Sequence, residues 1–401
     1  MKLYKRNVVD QIIPYLGDET IVVLHGARQV GKTHILYYLR DHLLSQAKLV
    51  FYYDLEYPEL LTTLNLGPEE FIRDLVGRGY KADTQAYVLI DEIQYLDNPS
   101  SFLKIMADHY KSIHLIVSGS SSFDIKSKFT DSLVGRTTDF EIFPLSFSEF
   151  LTFRESKLNV KIAPSPATLK ELVALYGEFV RYGGYPQIVL EPIIEKKHKN
   201  LLQIIDTYIR KDLRDLATIG DIQKFNNLIR LLAYQSGQLL NYNSICNETK
   251  LSYPTLQKYL SILEETYIIK LVHPYSHNPS IEISKNPKIF FFDSGLQSLL
   301  WQNQFVDNLQ GNTFETNIFG ELVKKYGRSN IGFWRTKNGT EVDFIIEGKA
   351  KPLPIEVKTT FPITIPNGLA SFSTKYLVYK HLTVSLQGTK KSSNMIYPWE
   401  L

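Results

Sequence analysis

The chain has 401 residues, of which 44% are hydrophobic and 22% are charged, and its formal net charge is +3. This composition excludes a disordered chain and leaves room for two or three domains of ordinary size. The single cysteine, Cys246, excludes a disulfide framework and a cysteine-rich zinc site. Because the chain also lacks a long apolar run and a signal-peptide core, we expect a cytoplasmic protein with no membrane partner.

The first 150 residues alternate short apolar runs with helical stretches. Five runs read as strands: "TIVVLHG", "KLVFYYDLE", "AYVLIDE", "HLIVSGS" and "TDFEIFPL". They lack the alternation of a half-exposed strand, which indicates strands buried on both faces of a parallel sheet with helices covering it. Residues 1–150 are therefore predicted to form an α/β nucleotide-binding domain.

A glycine-rich loop, "GARQVGKT", follows the first of these strands and matches the pattern G-x-x-x-x-G-K-[ST]. In such a loop the backbone N–H groups surround phosphates, Lys32 reaches the β- and γ-phosphates, and Thr33 binds Mg²⁺. We predict an ATP and Mg²⁺ site here, the alternative being a structural turn. The predicted binding residues are Gly26, Ala27, Arg28, Gln29, Val30, Gly31, Lys32, Thr33 and His34.

Three further segments supply candidate catalytic groups. Asp91 and Glu92 end the strand "YVLIDE", where Asp91 would hold Mg²⁺ and Glu92 would act as general base for the attacking water. Ser118 ends "HLIVSGS" and could sense the γ-phosphate or the water, although it could equally be a turn serine. Arg136 could reach the phosphate of a neighbouring subunit in a homo-oligomer, or be an ordinary surface arginine.

The middle of the chain is predicted to be mainly helical. Residues 151–224 read as a helical lid or connector that contains "RYGGYP". Residues 225–293 read as three helices followed by the strands "IIKLVH" and "KIFFFD", the order of a winged helix, with "SHNPSIEISKNP" as its wing loop or a connector. Ser252 and Pro254 start the third helix. This helix offers only Lys258 as a clear cation, so DNA contact and a purely relaying role both stay open.

Residues 311–401 are predicted to be a small α/β domain with a helix and the strands "IGFWRT", "EVDFIIE" and "LPIEVKTT". The two-residue period puts Glu356 and Lys358 on one strand face, and Asp343 lies on a preceding strand that a sheet could bring alongside. Such a set could bind Mg²⁺ between the carboxylates while the lysine stabilises charge on a scissile phosphate. A solvated strand face is the alternative.

The charge of the chain is concentrated in this last segment. Residues 311–401 hold 12 Lys/Arg against 7 Asp/Glu, a net of +5, which leaves −2 for the first 310 residues. An excess of this size is compatible with a phosphate backbone as partner and equally with a solvated surface.

Several segments in fixed order carry a family resemblance. They are "GARQVGKT", "LIDEIQ", "SGSSS", "LVGRTTDFEIFPLSFSEF", "RYGGYP", "KNPKIFFFDSGL", "FWRTKNGTEVDF" and "IEVK". The chain resembles a widespread family of bacterial and archaeal ATPases in which an AAA+-like domain is fused to a C-terminal domain similar to PD-(D/E)XK nucleases. That family is itself similar to the archaeal ATPase and STAND branches of the P-loop proteins, whose glycine-proline lid motif touches the nucleotide.

The resemblance implies a P-loop NTPase sheet, a helical lid, a winged-helix domain and a restriction-endonuclease-like α/β domain. It implies that Gly184 and Pro186 report the nucleotide state to the lid and that Glu321 is an additional acidic residue of the nuclease-like site. We expect an Mg²⁺-dependent ATPase coupled to DNA. The alternative is a nucleotide-operated switch that recruits a protein partner and has an inactive nuclease-like domain.

Overall fold

The computed structural model describes residues 2–82, 84–119, 133–206, 222–276, 286–305, 307–348 and 351–401. The chain divides into two units, one of Met1–Phe143 with Glu265–Tyr267 and one of Pro144–Glu264 with Ile268–Leu401. The finer predicted boundaries at residues 150, 224, 293 and 311 stay predictions. None of the helices in the described part is long and apolar enough to cross a membrane.

The first unit is built on a five-stranded parallel sheet, as predicted, so the α/β fold class is confirmed. Its strands are β1 (Ile21–Gly26), β2 (Leu49–Asp54), β3 (Ala86–Asp91), β4 (Ile113–Gly119) and β5 (Thr137–Ile142), in the order β2-β3-β4-β1-β5. Its helices are α1 (Asn7–Ile12), α2 (Lys32–Ser45), α3 (Pro58–Asn65), α4 (Pro68–Gly77) and α5 (Pro99–His109).

Burial explains why these runs form strands. Every residue of β3 and β4 is buried, which is the condition that favours uninterrupted apolar sequence over alternation. Phe71 of α4 makes edge-to-face contacts with Tyr53 of β2 and with Phe102 of α5, at centroid distances of 5.1 and 5.4 Å, and so joins the two helices to the sheet. Because the strands are parallel, the carboxyl ends of β1, β3 and β4 meet at one edge of the sheet.

The second unit begins with helices and a two-stranded antiparallel sheet. The helices are α6 (Phe147–Phe153), α7 (Pro166–Tyr182), α8 (Pro186–Leu190), α9 (Ile194–Ile204), α10 (Ile222–Tyr234), α11 (Tyr242–Thr249), α12 (Tyr253–Glu265) and α13 (Ser294–Gln302). Strands β6 (Ile269–Val272) and β7 (Lys288–Phe291) pair between α12 and α13.

The predicted order of helix, helix, capped helix and two strands is present in α10–α12, β6 and β7. Ser252 caps α12 as expected, its Oγ accepting the N–H of Thr255 at 3.3 Å. Most of the predicted wing loop, residues 277–285, lies outside the described residues. A DNA-binding role for these elements stays a prediction.

The C-terminal part of this unit holds a mixed sheet and two helices. Its elements are α14 (Gly311–Tyr326), β8 (Ile331–Arg335), β9 (Glu341–Ile346), β10 (Leu353–Thr360), α15 (Asn367–Tyr376), β11 (Leu382–Gln387) and β12 (Met395–Ile396). The strand order is β12-β11-β10-β9-β8; β8 pairs with β9, and β9 with β10, in antiparallel orientation, whereas β10 pairs with β11, and β11 with β12, in parallel orientation. Ile355 lies opposite Phe344, so the carboxyl end of β9 pairs with the amino end of β10.

Candidate nucleotide-binding site

The predicted phosphate-binding loop, residues 26–33, connects β1 to α2 in a tight turn that requires glycine. A Cβ added at Gly26 would lie 2.1 Å from the carbonyl oxygen of Ile142 on β5, so no larger residue fits without moving the strand. Gly31 precedes α2 with φ +97°, a conformation that side-chain-bearing residues rarely adopt. The loop therefore passes close to the sheet and enters the helix directly.

Lys32 is the first residue of α2, and its ammonium group turns back into the loop. Its Nζ donates to the carbonyl oxygens of Gly26 at 3.1 Å and Ala27 at 2.8 Å. Burial lowers the pKa of Lys32 to about 8, against the opposing effect of the nearby carboxylates of Glu92 and Asp91. A buried cation at the positive end of a helix is an arrangement that a polyanion stabilises.

The remaining loop residues surround this lysine. Ala27 and Val30 are buried, Arg28 and Thr33 are half-buried, and Gln29 and His34 are exposed. Thr33 follows Lys32 in the first turn of α2, the position from which the predicted magnesium ligand would act. Gln29 has φ +62°, so the loop reverses direction in its middle as well as at Gly31.

Asp91 is the last residue of β3, and neighbouring hydroxyl groups hold its carboxylate. The hydroxyl of Ser118 on β4 donates to Asp91 Oδ1, and the hydroxyl of Tyr52 on β2 donates to Oδ2 at 3.1 Å. Burial and the Asp91 charge both raise the pKa of Tyr52, which keeps its hydroxyl a donor. Ser118 therefore lies in the predicted site, but here it orients the carboxylate, and Tyr52 is a site residue that no sequence motif indicated.

Glu92 occupies the turn that follows β3. Its φ of +56° is rare for a side-chain-bearing residue and costs about 1 kcal/mol or more. Its N–H donates to Ser118 Oγ at 3.4 Å, and Gln94 Nε2 donates to its carboxylate. Burial raises the pKa of Glu92, while the Lys32 charge and the Gln94 hydrogen bond work in the opposite direction. A carboxylate made more basic by burial suits a general base.

Arg6, which carries no motif, supports the loop from the N-terminal segment. It is buried, and its guanidinium donates to the carbonyl oxygens of Val30 at 2.7 Å and Phe143 at 2.8 Å. One side chain thus links the predicted phosphate-binding loop to the residue that follows β5. The partners are 24 and 137 positions away, so local sequence reasoning had no signal for this contact.

A second long-range contact lies beside the loop. His25, one residue before Gly26, shares a 2.7 Å hydrogen bond between its Nδ1 and the hydroxyl of Tyr267, and that hydroxyl also donates to Glu141 Oε1 at 3.0 Å. Tyr267 is fully buried with φ +60° and belongs to the first unit, although the chain reaches it only after α12.

The structure does not bring Arg136 to this edge of the sheet. It immediately precedes β5, whose amino end is opposite the loop, and six strand residues span about 20 Å. Its guanidinium pairs with both carboxylate oxygens of Asp108, at 2.7 and 3.1 Å. Within one chain Arg136 is therefore not part of the site, and its action on another subunit stays a prediction.

Gly184 lies in the second unit, in the turn before α8, and Pro186 is the first residue of that helix. Gly184 donates its N–H to Asp293 Oδ2 at 2.7 Å, and its carbonyl accepts the N–H of Leu145 at 2.7 Å. Asp293 also accepts the N–H of Leu296 at 2.8 Å, so one buried carboxylate fixes this turn and the start of α13. The predicted contact of this turn with a nucleotide stays a prediction.

The residues at the loop fit a triphosphate with Mg²⁺. Lys32 has three N–H donors, and within the described part of the chain two carbonyl oxygens accept from it, which leaves one donor for a phosphate oxygen. Thr33 contributes a hydroxyl and Asp91 a carboxylate, both ligand types that Mg²⁺ accepts. The oxygen donors and the cation are thus supplied from one sheet edge.

The predicted nuclease-like residues come together only in part. Asp343 Oδ2 accepts the N–H of Val357 at 2.8 Å, and Lys358 pairs with Glu356 Oε1 at 2.8 Å. Glu321 lies elsewhere, bonded to Lys324 at 2.8 Å and to the N–H of Phe147 at 3.0 Å.

Glu315, on the same helix, is the acidic residue that faces Asp343 instead. Burial and the Asp343 charge raise the pKa of Glu315 to about 8. Residues six positions apart lie on different sides of a helix, which is why Glu321 points away from the set that Glu315 joins. Across the described residues, no three His, Cys, Asp or Glu side chains are arranged to hold a metal ion.

Comparison with protein families assigns three segments. Residues 18–151 match the model of an AAA domain, residues 173–305 match a domain of unknown function (DUF8612), and residues 310–398 match another (DUF4143). The first match contains the loop and the acidic pair of the candidate site.

Curated relatives span most of the chain. An uncharacterised protein of Haemophilus influenzae is 26% identical over 368 residues, covering 89% of this chain and 87% of the relative. An uncharacterised protein of Methanocaldococcus jannaschii is 27% identical over 362 residues, covering 88% of this chain and 77% of the relative.

Solved structures with detectable similarity include PCH-2 of C. elegans, at 11% identity and a TM-score of 0.33 over 51% of this chain and 64% of that one. AMPPCP-bound DnaA from Aquifex aeolicus is 16% identical, with a TM-score of 0.30 over 64% of this chain and 86% of that one. At these scores the similarities do not bear on function. The chain thus carries an AAA domain of the AAA+ ATPase type, followed by a C-terminal domain of unknown function.

Proposed function

We propose that this protein is an Mg²⁺-dependent ATPase. The proposal rests on one observation: the buried ammonium of Lys32 lies near the carboxylates of Asp91 and Glu92 at one edge of the parallel sheet. Hydrolysis of a nucleoside triphosphate needs a phosphate-binding cation, a metal ligand and a base for the attacking water, and these residues supply one of each.

The chain's own groups have separate tasks in this reaction. Lys32 and the first-turn N–H groups of α2 bind the β- and γ-phosphate oxygens. Thr33 and Asp91 would hold Mg²⁺, which supplies neutralising charge to those oxygens. Ser118 and Tyr52 keep the Asp91 carboxylate oriented, and Glu92 accepts a proton from the attacking water at its carboxylate.

Phosphate release from ATP and GTP by the full chain, with Mg²⁺ or with EDTA, tests the proposal. We expect release from ATP that EDTA abolishes. Equal release with and without a chelator would contradict the metal requirement, and release from GTP alone would correct the substrate. Sizing the protein with and without ATP tests the homo-oligomer in which Arg136 would act.

We further propose that ATP hydrolysis is coupled to DNA binding through residues 225–293 and the C-terminal domain. The support is the order of α10–α12, β6 and β7 and the net charge of +5 over residues 311–401. Double-stranded DNA added to the hydrolysis assay should raise turnover, with the effect declining as salt increases. Unchanged turnover at low salt would contradict the coupling.

The alternative is that the protein is a nucleotide-operated switch, which recruits a protein partner and does not cleave DNA. One observation favours it: the buried ammonium of Lys288 pairs with Glu315 and Glu341 beside the nuclease-like residues. Plasmid DNA incubated with the protein and Mn²⁺ separates the two outputs. Nicking that disappears in Asp343→Ala would exclude the switch, whereas intact plasmid together with ATP turnover that DNA leaves unchanged would favour it.

A further inference from the structure

An ionic cluster lies around strands β9 and β10, in the second unit. We name it the C-terminal ionic cluster, and it comprises Lys288, Glu315, Glu341, Asp343, Glu356 and Lys358. Its members come from β7, α14, β9 and β10, so the fold assembles it from four elements. The sequence predicted three of the six, and it gave no reason to include Lys288.

Lys288 is the most buried cation of this cluster. It is the first residue of β7, lies opposite Val272 on β6, and is 2% exposed. The rings of Phe290 and Phe333 flank its ammonium group, with centroids at 6.0 and 5.6 Å. The ammonium pairs with Glu315 at 3.4 Å and with Glu341. A cation buried this deeply is stable only because carboxylates surround it.

The protein itself supplies cations to the carboxyl groups of the cluster. Lys288 and Lys358 provide two positive charges, and Arg335 pairs with Glu341 at 2.9 Å to provide a third. The carboxylates raise the pKa of Lys288 despite its burial, so it stays charged at neutral pH. Three cations thus face the four carboxyl groups of the cluster.

The carboxylate oxygens are also largely engaged by the protein itself. The Val357 N–H occupies Asp343 Oδ2, and Lys358 occupies Glu356 Oε1. Glu356 Oε2 is a buried oxygen without a partner in the described structure. Among the residues that the structure describes, however, no three His, Cys, Asp or Glu side chains are arranged to hold a metal ion, and the Lys288 ammonium already pairs with two carboxylates of the cluster. The residues of the cluster therefore do not fit the divalent ion that a PD-(D/E)XK site would hold.

We propose that the ammonium group of Lys288 is the resident cation of the C-terminal ionic cluster and takes the place of a divalent metal ion. The cluster is then an ion-paired junction that joins β7 to α14 and β9, and it does not support metal-dependent cleavage of DNA. This inference does not depend on ATP hydrolysis at the predicted phosphate-binding loop.

Binding of Mn²⁺ to the nucleotide-free full chain, followed by electron paramagnetic resonance, tests the proposal. Four proteins are compared: the wild type, Asp343→Asn, Lys288→Met, and the double variant Lys288→Met with Asp343→Asn. Asparagine keeps an oxygen for the Val357 N–H, so Asp343→Asn removes charge with little change of shape. Any Mn²⁺ bound near Asp91 is common to all four and cancels in the comparison.

We expect the wild type and Asp343→Asn to bind Mn²⁺ identically, because no ion lies between the carboxylates. Lys288→Met keeps the length of the side chain, removes its charge, and should bind about one additional Mn²⁺ per chain. The double variant should lose that additional ion. Lys288→Arg, which keeps a cation, should behave as the wild type does.

Two results would overturn the proposal. One is a wild-type chain that binds one Mn²⁺ more than Asp343→Asn does, which would mean that the ion and the ammonium group coexist. The other is a folded Lys288→Met protein, checked by circular dichroism, that gains no Mn²⁺. If Lys288→Met fails to fold, the comparison of the wild type with Asp343→Asn still decides the question.

Discussion

Lys32 gives the site a pH dependence whose sign follows from its environment. Its folded-state pKa of about 8 is below the ordinary 10.5, so the free protein loses a proton there as pH rises through this window. Bound triphosphate favours the ammonium form and restores that proton. ATP affinity should therefore be nearly constant up to about pH 7 and fall about tenfold between pH 7 and pH 9.

Calorimetric titration of the protein with ATP at pH 9, in two buffers of different ionisation enthalpy, measures this proton directly. We expect uptake of close to one proton per ATP at pH 9 and almost none at pH 7. ATP affinity that is unchanged between pH 7 and 9, with no proton uptake, would mean that Lys32 does not carry the phosphate contact.

Ser118 acts on Asp91, so its removal should affect metal use before nucleotide binding. Ser118→Ala deletes the hydroxyl that donates to Asp91 Oδ1, and loss of such an orienting group typically weakens metal affinity by about 10- to 100-fold. The Mg²⁺ concentration for half-maximal hydrolysis should rise by about that factor. Ser101→Ala, at an exposed position of α5, is the control. Equal Mg²⁺ dependence in both variants would remove Ser118 from the site.

At the scale of elements, the approach of β1 to β5 fixes the start of the loop. A Cβ at Gly26 would be 2.1 Å from a backbone oxygen, whereas a Cβ at Gly17 would meet nothing within 4 Å. Gly26→Ala should lower the free energy of unfolding by about 3 kcal/mol. Gly17→Ala should leave stability unchanged or slightly higher. Urea unfolding of both variants measures this, and equal midpoints would contradict the close approach.

The hydroxyl of Tyr267 links β1 and β5 from a distant point of the chain. Tyr267→Phe removes the hydrogen bonds to His25 and Glu141 and leaves buried polar atoms without that partner, at a cost of about 1–3 kcal/mol. Urea unfolding should show the loss. Tyr379→Phe, at a tyrosine that is 86% exposed, is the matched control and should be neutral. If both variants unfold at the wild-type midpoint, the hydroxyl contributes nothing.

Local patterns in the sequence predicted the elements that lead to the loop. The inner strands β1, β3 and β4 were recognised because burial on both faces leaves uninterrupted apolar runs, whereas the edge strands β2 and β5 are only partly buried. The loop was recognised because its glycines and lysine have fixed spacing. Asp91 and Glu92 were found because they end such a strand. These features depend on neighbours in the chain, which is the information that one sequence contains.

Contacts between distant segments could not be predicted in the same way. Arg6 supports the loop from 24 positions away, and Tyr267 reaches His25 from 242 positions away. Glu315 and Lys288 join Asp343 because of how α14 and β7 pack, and neither belongs to the three-letter motif that suggested a nuclease. Arg136 was predicted from its type and its place after β4, without knowledge of the sheet edge at which it lies.

For the molecule as a whole, we propose separate roles for the two ends of the chain. The first unit carries most of the AAA domain and the candidate groups for hydrolysis, and the C-terminal domain carries an ion-paired cluster. We propose ATP hydrolysis at the first and no metal-dependent cleavage at the second.

Equilibrium ATP binding and single-turnover phosphate release, measured on the wild type, Lys32→Ala and Glu92→Gln, test the central claim most directly. We predict that Lys32→Ala loses ATP affinity by about 100-fold or more, and that Glu92→Gln binds ATP normally but releases phosphate about 100-fold more slowly. Wild-type phosphate release by Glu92→Gln, together with wild-type ATP affinity in Lys32→Ala, would contradict the account.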